Sequence, residues 1–330
     1  MGKTTIGVDI GEDQVKFAVC DPGEVRRLAE EPLPDNLVRD GHIISPEAMS
    51  DFLRQAAAKH RVSGRKCAVV LPSTVAFTKR TVMPAMTVEQ LRINLPYEFR
   101  DYITQEKDKY VYDYAVLDLE RDGDGKPKQM ELMAAACPKT LIREYMDMFR
   151  RAGFKLMTAA PEEFAYYNLL RRYEEAHPDR AGREHCIIDL GHRATRVHIF
   201  TGLKFEVSRV IEYGGATADA AIADELHVDE HIARTYKLSN HENAQELESC
   251  RGLYNAVALE ITRAVNFYGY NNPDSALQTA WVCGGGVRNE AMMAQLRETL
   301  SLELEPIAGL LPPGGGEGLE LCPAAIGITQ

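Results

Sequence analysis

The amino-acid sequence predicts an α/β protein of two similar halves with a small α+β block set into the first. Three observations carry this. Residues 6–20 read IGVDIGEDQVKFAVC, two apolar runs alternating with polar residues about a tight Gly11-Glu12-Asp13-Gln14 turn, the pattern of a β-hairpin. The pattern returns at residues 188–200, IDLGHRATRVHIF, where Asp189 and Gly191 take the places of Asp9 and Gly11. Between the two halves, from about residue 83 to 157, the texture changes to a helix, a hairpin and a second helix.

Each hairpin ends its first run on an aspartate whose carboxylate can face whatever lies over the turn. Backbone N–H groups of such turns form anion nests, so phosphate is the natural guest. A chain of two such halves can hold one ligand between facing turns.

Composition narrows the classes. The 330 residues suffice for two domains, and 45% are apolar, enough for a sizeable core. A formal net charge of −11 argues against a general nucleic-acid binder or a polybasic membrane surface. No apolar run approaches the ~20 residues of a membrane span. The start enters a strand directly, leaving no room for a signal peptide, and Ile6 stands where myristoylation needs Ser or Thr. The seven cysteines (20, 67, 137, 186, 250, 283, 322) form no C-x-x-C pair and read as reduced core thiols. The expectation is a soluble cytoplasmic protein.

In chain order, Asp21-Pro22-Gly23 is a turn, and Ser45-Pro46-Glu47 caps a helix to about His60, with Met49, Phe52, Leu53 and Ala56 or Ala57 inward. Residues 66–71, KCAVVL, form a short buried strand. Thr87 and Gln90 make a capping box for a helix to about Tyr102, kinked or cut by Pro96. Strands at 110–119 and 131–137 flank a polar turn, and Tyr110, Tyr112 and Tyr114 share one face, either a core wall or an exposed strip. A helix follows over 138–153, with Leu141, Tyr145, Met148 and Phe149 inward and Gly153 as its stop. Residues 159–164 open another helix, to about Glu175.

After a polar linker at 177–183 come the repeated hairpin, a third strand at 205–211 and the Gly214-Gly215 turn. Residues 217–270 read as helix broken near 238–240, and the strand 279–283 runs into Gly284-Gly285-Gly286. A helix (290–300), a short strand (303–306), a Pro/Gly loop (309–319) and a small-residue helix (323–328) close the chain. His227 and His231, spaced i, i+4, read as a solvated helix face, and the glycines at 314–318 as a flexible loop. The expected organisation is a first lobe (1–82 plus 158–182), an insert (83–157), a second-lobe core (183–213 plus 279–330) and a helical subdomain (214–278).

Six stretches in order resemble the actin-like ATPase superfamily, and within it the type IV pilus assembly PilM branch related to FtsA. VDIGEDQVK (8–16) and IDLGHRATRVHIF (188–200) resemble the two phosphate loops, and PEEFAYYNLL (161–170) the first connecting helix. EYGGATADAAIADELHVDEHIARTYK (212–237) resembles the segment with paired glycines, a helix and a lysine near the adenosine. WVCGGGVRN (281–289) is similar to the adenosine loop, and PAAIGI (323–328) to the closing helix.

The resemblance implies a bilobed actin-like ATPase fold of two RNase H-like domains with a small inserted α+β subdomain, holding ATP and Mg²⁺ in the cleft. It places Gly11, Glu12, Asp13, Lys16, Gly191, His192 and Thr195 at the phosphates, and Asp9 and Asp189 at the metal through its waters. Glu162 would polarise the attacking water, while Gly214, Gly215, Lys237, Gly284, Gly285 and Gly286 would surround the adenosine and Arg288 would stack on the adenine or reach the α-phosphate. The implied protein is a cytoplasmic scaffold, at most a weak ATPase. It would bind the N-terminal peptide of a PilN-like inner-membrane protein between insert and first lobe, and reach the membrane through that partner.

The chain departs from the pattern in places. Glu12-Asp13-Gln14 replaces Ser or Thr hydroxyls in the first turn, Arg234 stands where a Glu is usual before Lys237, and Ala160 replaces an acidic residue. Carboxylates beside a triphosphate cost binding energy unless Mg²⁺ or another cation offsets them, and His192 and Arg193 of the second turn are expected to offset them in part. Two alternatives stand beside this reading. An FtsA-like division protein would carry an amphipathic membrane helix, which does not follow residue 328 here. A small-molecule kinase of the superfamily would need a base facing a substrate pocket, and no such base stands beyond the motif carboxylates.

Overall fold

The structure is a computed structural model and describes residues 4–103 and 106–330. Strands β1 (Thr5–Ile10) and β2 (Gln14–Asp21) form the first hairpin, with Asp9 opposite Lys16. β3 (Glu24–Pro32) pairs antiparallel with β2. The sequence pattern does not reveal β3, because only Val25 and Ala29 of its nine residues are buried and charges fill most of this edge strand. A two-residue ribbon of β4 (Val38–Arg39) and β5 (His42–Ile43) precedes α1 (Pro46–Lys59). Ser45 caps α1 as expected, its Oγ accepting from Ala48 N–H at 3.3 Å, and Met49, Leu53, Ala56 and Ala57 are buried. β6 (Lys66–Leu71) then runs parallel to β1 and is buried over five of its six residues, as a central parallel strand should be.

The insert is a three-stranded antiparallel sheet of β7 (Phe77–Pro84), β8 (Tyr110–Arg121) and β9 (Pro127–Pro138) with β9 central. Across its face lies α2 (Val88–Glu98), held by the Thr87–Gln90 capping box. Leu91, Leu95 and Phe99 pack there with Leu132, Ala134 and Ala136. Tyr110, Tyr112 and Tyr114 settle half-buried on this cluster, so they are a core wall.

The packing redraws the expected insert boundaries of 83 and 157. β7 begins at Phe77 because its whole length pairs with β9. Helix α3 (Lys139–Arg151) belongs to the first lobe: its Tyr145, Met148 and Phe149 enter the cluster built by Met49, Leu53, Val69 and Leu71. β10 (Lys155–Pro161), a strand where the sequence pattern suggests the start of a helix, pairs parallel with β6 and completes the order β10-β6-β1-β2-β3.

Helix α4 (Glu162–Ala176) leads to the second lobe. There β11 (Glu184–Leu190), β12 (Thr195–Thr201) and β13 (Lys204–Ile211) form the antiparallel half of a sheet. After α5 (Gly215–Leu226), α6 (Glu230–Ser239) and α7 (Glu248–Asn271), β14 (Thr279–Cys283) pairs parallel with β11. Past α8 (Glu290–Thr299), β15 (Glu303–Pro306) gives the order β13-β12-β11-β14-β15, the first lobe's topology repeated.

The closing helix α9 (Pro323–Gly327), expected with the second lobe, packs instead on β1 and α4. The approach is close enough that a Cβ on Gly7 would fall 1.7 Å from Ala325 O, and one on Gly327 2.2 Å from Ala165 O. Between the lobes, Tyr166, Leu169 and Leu170 of α4 share a buried cluster with Ile187, Phe200 and Trp281.

Candidate functional site

The two hairpin turns are built alike. Gly11 N–H donates to Gln14 O at 3.0 Å and Gly191 N–H to Ala194 O at 3.1 Å, so each turn is closed by its own glycine. Among the described residues no acceptor takes the N–H of Glu12, Asp13, His192 or Arg193. Such unpaired amides in a turn form an anion-binding concavity. The turns face each other across the cleft: burial lowers the pKa of His192, and the opposing influence on it comes first from Asp13 of the other turn.

Beneath the turns stand the two strand-end aspartates and one lysine. Lys16 Nζ lies 3.3 Å from Asp9 Oδ2. Burial works against the Lys16 charge, but the fields of Asp9 and then Asp189 outweigh it and push its pKa up. Burial raises the pKa of Asp189, and Tyr166 donates its hydroxyl hydrogen to Asp189 Oδ2 at 3.4 Å. Two carboxylates and a lysine under an anion nest are a donor set suited to a divalent cation with a polyphosphate.

Glu162, at the head of α4, reaches into the second lobe. Its Oε1 lies 3.1 Å from Arg196 Nε and 3.5 Å from His198 Nε2, both on β12. Burial pushes the Glu162 pKa up, yet Arg196 and then His198 bring it down to about 2. In return, Glu162 overcomes burial at His198 and raises that imidazole's pKa. Carboxylate oxygens of Glu162 and Glu163 and a ring nitrogen of His198 lie within 4.8 Å of one another. The Arg196 guanidinium already supplies the positive charge there, so the group is an ion cluster tying α4 to β12.

The remaining expected residues fall into place unevenly. Thr195 is fully buried and its hydroxyl donates to Tyr213 O at 3.0 Å, so it secures the turn instead of facing the cleft. Gly215 N–H donates to Gly191 O and Ala216 N–H to His192 O, seating the start of α5 on the second turn. A Cβ on Gly214 would meet His192 O at 2.4 Å. Lys237 is spent on Asp219 and on Gly215 O, each at 2.6 Å. Gly284, at φ +86°, packs on Asp189 and Leu190, and Gly286 on Leu190, leaving Gly285 alone facing open space. Arg288 is half-exposed and pairs with Glu320 at 3.2 Å.

The part expected of His192 and Arg193 in offsetting Glu12 and Asp13 falls to other groups. Glu12 Oε1 accepts from Gly41 N–H at 2.9 Å, and Asp13 is paired by Arg234 of α6 from the other lobe. Burial keeps His192 neutral at neutral pH, and Arg193 pairs with Asp40 at 3.0 Å. Tyr166, Arg196 and His198 are site residues the motifs missed. The only signal was the i, i+2 spacing of Arg196 and His198, which puts both on one face of a strand.

Two sheets of one topology, a facing turn in each and a glycine-bordered strand end in the second lobe define an actin-like ATPase fold carrying an α+β insert. The type IV pilus assembly protein PilM family matches residues 7–309, and the chain belongs to that family. Its structure is similar to the solved PilM–PilN type IV pilus biogenesis complex, with a TM-score of 0.82 at 21% identity over 98% of this chain and 97% of that one. The ethanolamine utilization protein EutJ from Carboxydothermus hydrogenoformans gives 0.60 at 16% identity, over 100% and 91%. MreB5 of Spiroplasma citri, solved bound to ADP, gives 0.52 at 14% identity, over 99% and 95%. No helix among the described residues is long and apolar enough to cross a membrane.

Proposed function

We propose that this chain is the actin-like scaffold of a type IV pilus assembly platform, binding Mg²⁺–ATP between its two hairpin turns and a PilN-like peptide between its insert and first lobe. The observation that carries the nucleotide reading is the set of free N–H groups at Glu12, Asp13, His192 and Arg193, two on each lobe, above Asp9, Asp189 and Lys16. In this reading the amides of both turns grip the phosphates, Lys16 turns from Asp9 to a phosphate oxygen, and the two aspartates hold the metal through its waters. The metal would supply charge neutralisation between phosphate and carboxylates.

The residues around Glu162 favour binding over hydrolysis. A carboxylate held at a pKa of about 2 by Arg196 and His198 is a poor proton acceptor, so Glu162 serves as a tie between lobes more than as a base. The partner reading rests on likeness to a chain solved as a PilM–PilN complex and on the exposed Ile93, Tyr97 and Tyr102 of the insert. An extended peptide docks by main-chain pairing and alternate side-chain pockets. The protein would then work at the cytoplasmic face of the membrane, reached through that partner.

Isothermal titration with Mg²⁺–ATP, alongside Asp9→Ala, tests the nucleotide site. Micromolar binding lost in the variant is expected. Equal binding by both proteins, or none by either at millimolar ATP, would remove the site from the proposal. Pull-down with the N-terminal peptide of the host's PilN-like protein tests the second half, and no retention would remove that half.

A further inference from the structure

Three ion pairs cross the mouth of the cleft, and all have the same polarity. Asp13, Asp35 and Asp40 stand on the first lobe, and Arg234, His231 and Arg193 answer them from the second. The outer two, His231–Asp35 at 3.5 Å and Arg193–Asp40 at 3.0 Å, have side chains more than half exposed, where an ion pair contributes little. Asp13–Arg234 is different. Both guanidinium Nη atoms meet a carboxylate oxygen, with Nη2–Oδ2 at 2.6 Å, and the side chains are only 17% and 29% exposed. This fork-to-fork pairing joins residues 221 positions apart, one in a phosphate-type turn and one on α6.

The position of the pair gives it a second meaning. Asp13 carries one of the free turn amides, so its carboxylate stands beside the place an anion would take. Arg234 is paired like its neighbours, Lys16 with Asp9 and Lys237 with Asp219, but its partner is the residue whose own amide faces the anion's place, so a polyphosphate there would stand beside its guanidinium.

We propose that Asp13 acts as a built-in anion that latches Arg234 and holds the two lobes together when no anion competes for it, and that an incoming polyphosphate displaces it. Ligand and latch compete for one guanidinium. This rests on the nucleotide reading above only in its second half, since lobe closure by Asp13–Arg234 stands or falls without any ligand.

The experiment separates the two. Nitroxide labels at Gln55→Cys in α1 and Leu238→Cys in α6 report the distance between lobes by pulsed electron resonance, all seven native cysteines being buried. Without nucleotide and at low salt, the parent should give one narrow distance. Asp13→Asn and Arg234→Gln should each lengthen and broaden it, and the exchanged pair Asp13→Arg with Arg234→Asp should restore it. In Mg²⁺–ATP titrations Asp13→Asn should bind about threefold to tenfold more tightly than the parent, and Arg234→Gln more weakly, in line with a partly exposed charge pair.

Single variants that stay folded by circular dichroism and keep the parent's distance overturn the latch, as does an exchanged pair that folds but stays open. Distances that respond while no protein binds ATP leave the latch standing and remove the nucleotide reading. Tighter binding absent from Asp13→Asn, with the parent binding ATP, overturns the competition.

Discussion

Thr78 of β7 donates its hydroxyl hydrogen to Glu163 Oε2 at 3.2 Å, which ties the insert to the residue next to Glu162. Glu163 is 4% exposed and burial raises its pKa, so this hydroxyl is a partner its carboxyl cannot replace with water. Insert, connecting helix and cleft meet at this contact.

Thr78→Val should therefore destabilise the protein by about 1–2 kcal/mol, the cost of leaving a buried polar group without its partner. Urea denaturation measures this. A midpoint equal to the parent's would show that Glu163 finds another partner.

The ion cluster predicts a stability profile with two edges. The Glu162 pKa is depressed from 4.5 to about 2, so its contribution is complete above the ordinary value and is lost as pH falls toward 2. The His198 pKa is raised from 6.5, so its contribution is complete below 6.5 and is lost as pH rises through the raised value. Thermal unfolding should be most favourable to the native state between these limits. His198→Gln should flatten the alkaline side and shrink the acid side without abolishing it, since Arg196 still faces Glu162; an unchanged alkaline slope would deny His198 this role.

Gly284 and Gly285 are adjacent and should respond oppositely to alanine. At Gly284 a Cβ would meet Asp189 Oδ1 at 2.4 Å with φ at +86°, whereas at Gly285 it meets nothing within 4 Å. Gly284→Ala should cost about 2–4 kcal/mol and displace Asp189, while Gly285→Ala should stay within about 0.5 kcal/mol. Calorimetric melting of the pair is enough to decide, and similar losses would contradict the packing of this turn.

A second tie joins the insert to the second lobe. Arg80 pairs with Glu131 across the insert sheet and with Glu206 on β13, and Lys204 of β13 lies 3.1 Å from Asp118 and 3.2 Å from Glu131. Arg80→Leu should loosen β13 and β8 together, seen as faster amide exchange in both strands with the first-lobe strands unchanged. Exchange confined to the site of substitution would mean that the Lys204 pairs hold the insert to the second lobe without Arg80.

What could be read from the sequence was local. The two hairpins, the Ser45 and Thr87 caps and the strand entering Gly284 each declare themselves within a few residues, because turn chemistry and alternation act over that range. β3 stayed hidden because an edge strand needs few apolar residues, and β10 because its seven residues keep no strict alternation of buried and exposed positions. The home of α3 was also out of reach. Its apolar stripe would suit any neighbour, and only the assembled lobe shows that the neighbour is α1. Asp13 and Arg234 read in the sequence as two separate departures from a motif, and the structure pairs them across 221 residues. Pairing over such a distance leaves no trace in one sequence.

The seat of α9 against Gly7 has a consequence for how the protein is made. β1 leaves the ribosome before the second lobe, yet the surface it offers through Gly7 is covered by Ala325 and Thr329, more than three hundred residues later. The first lobe must wait through synthesis of the whole second lobe with that seam open, its earliest strand exposed to chaperones or to a neighbouring nascent chain. A helix of five residues thus sets the moment at which the opening half of the polypeptide becomes a finished body.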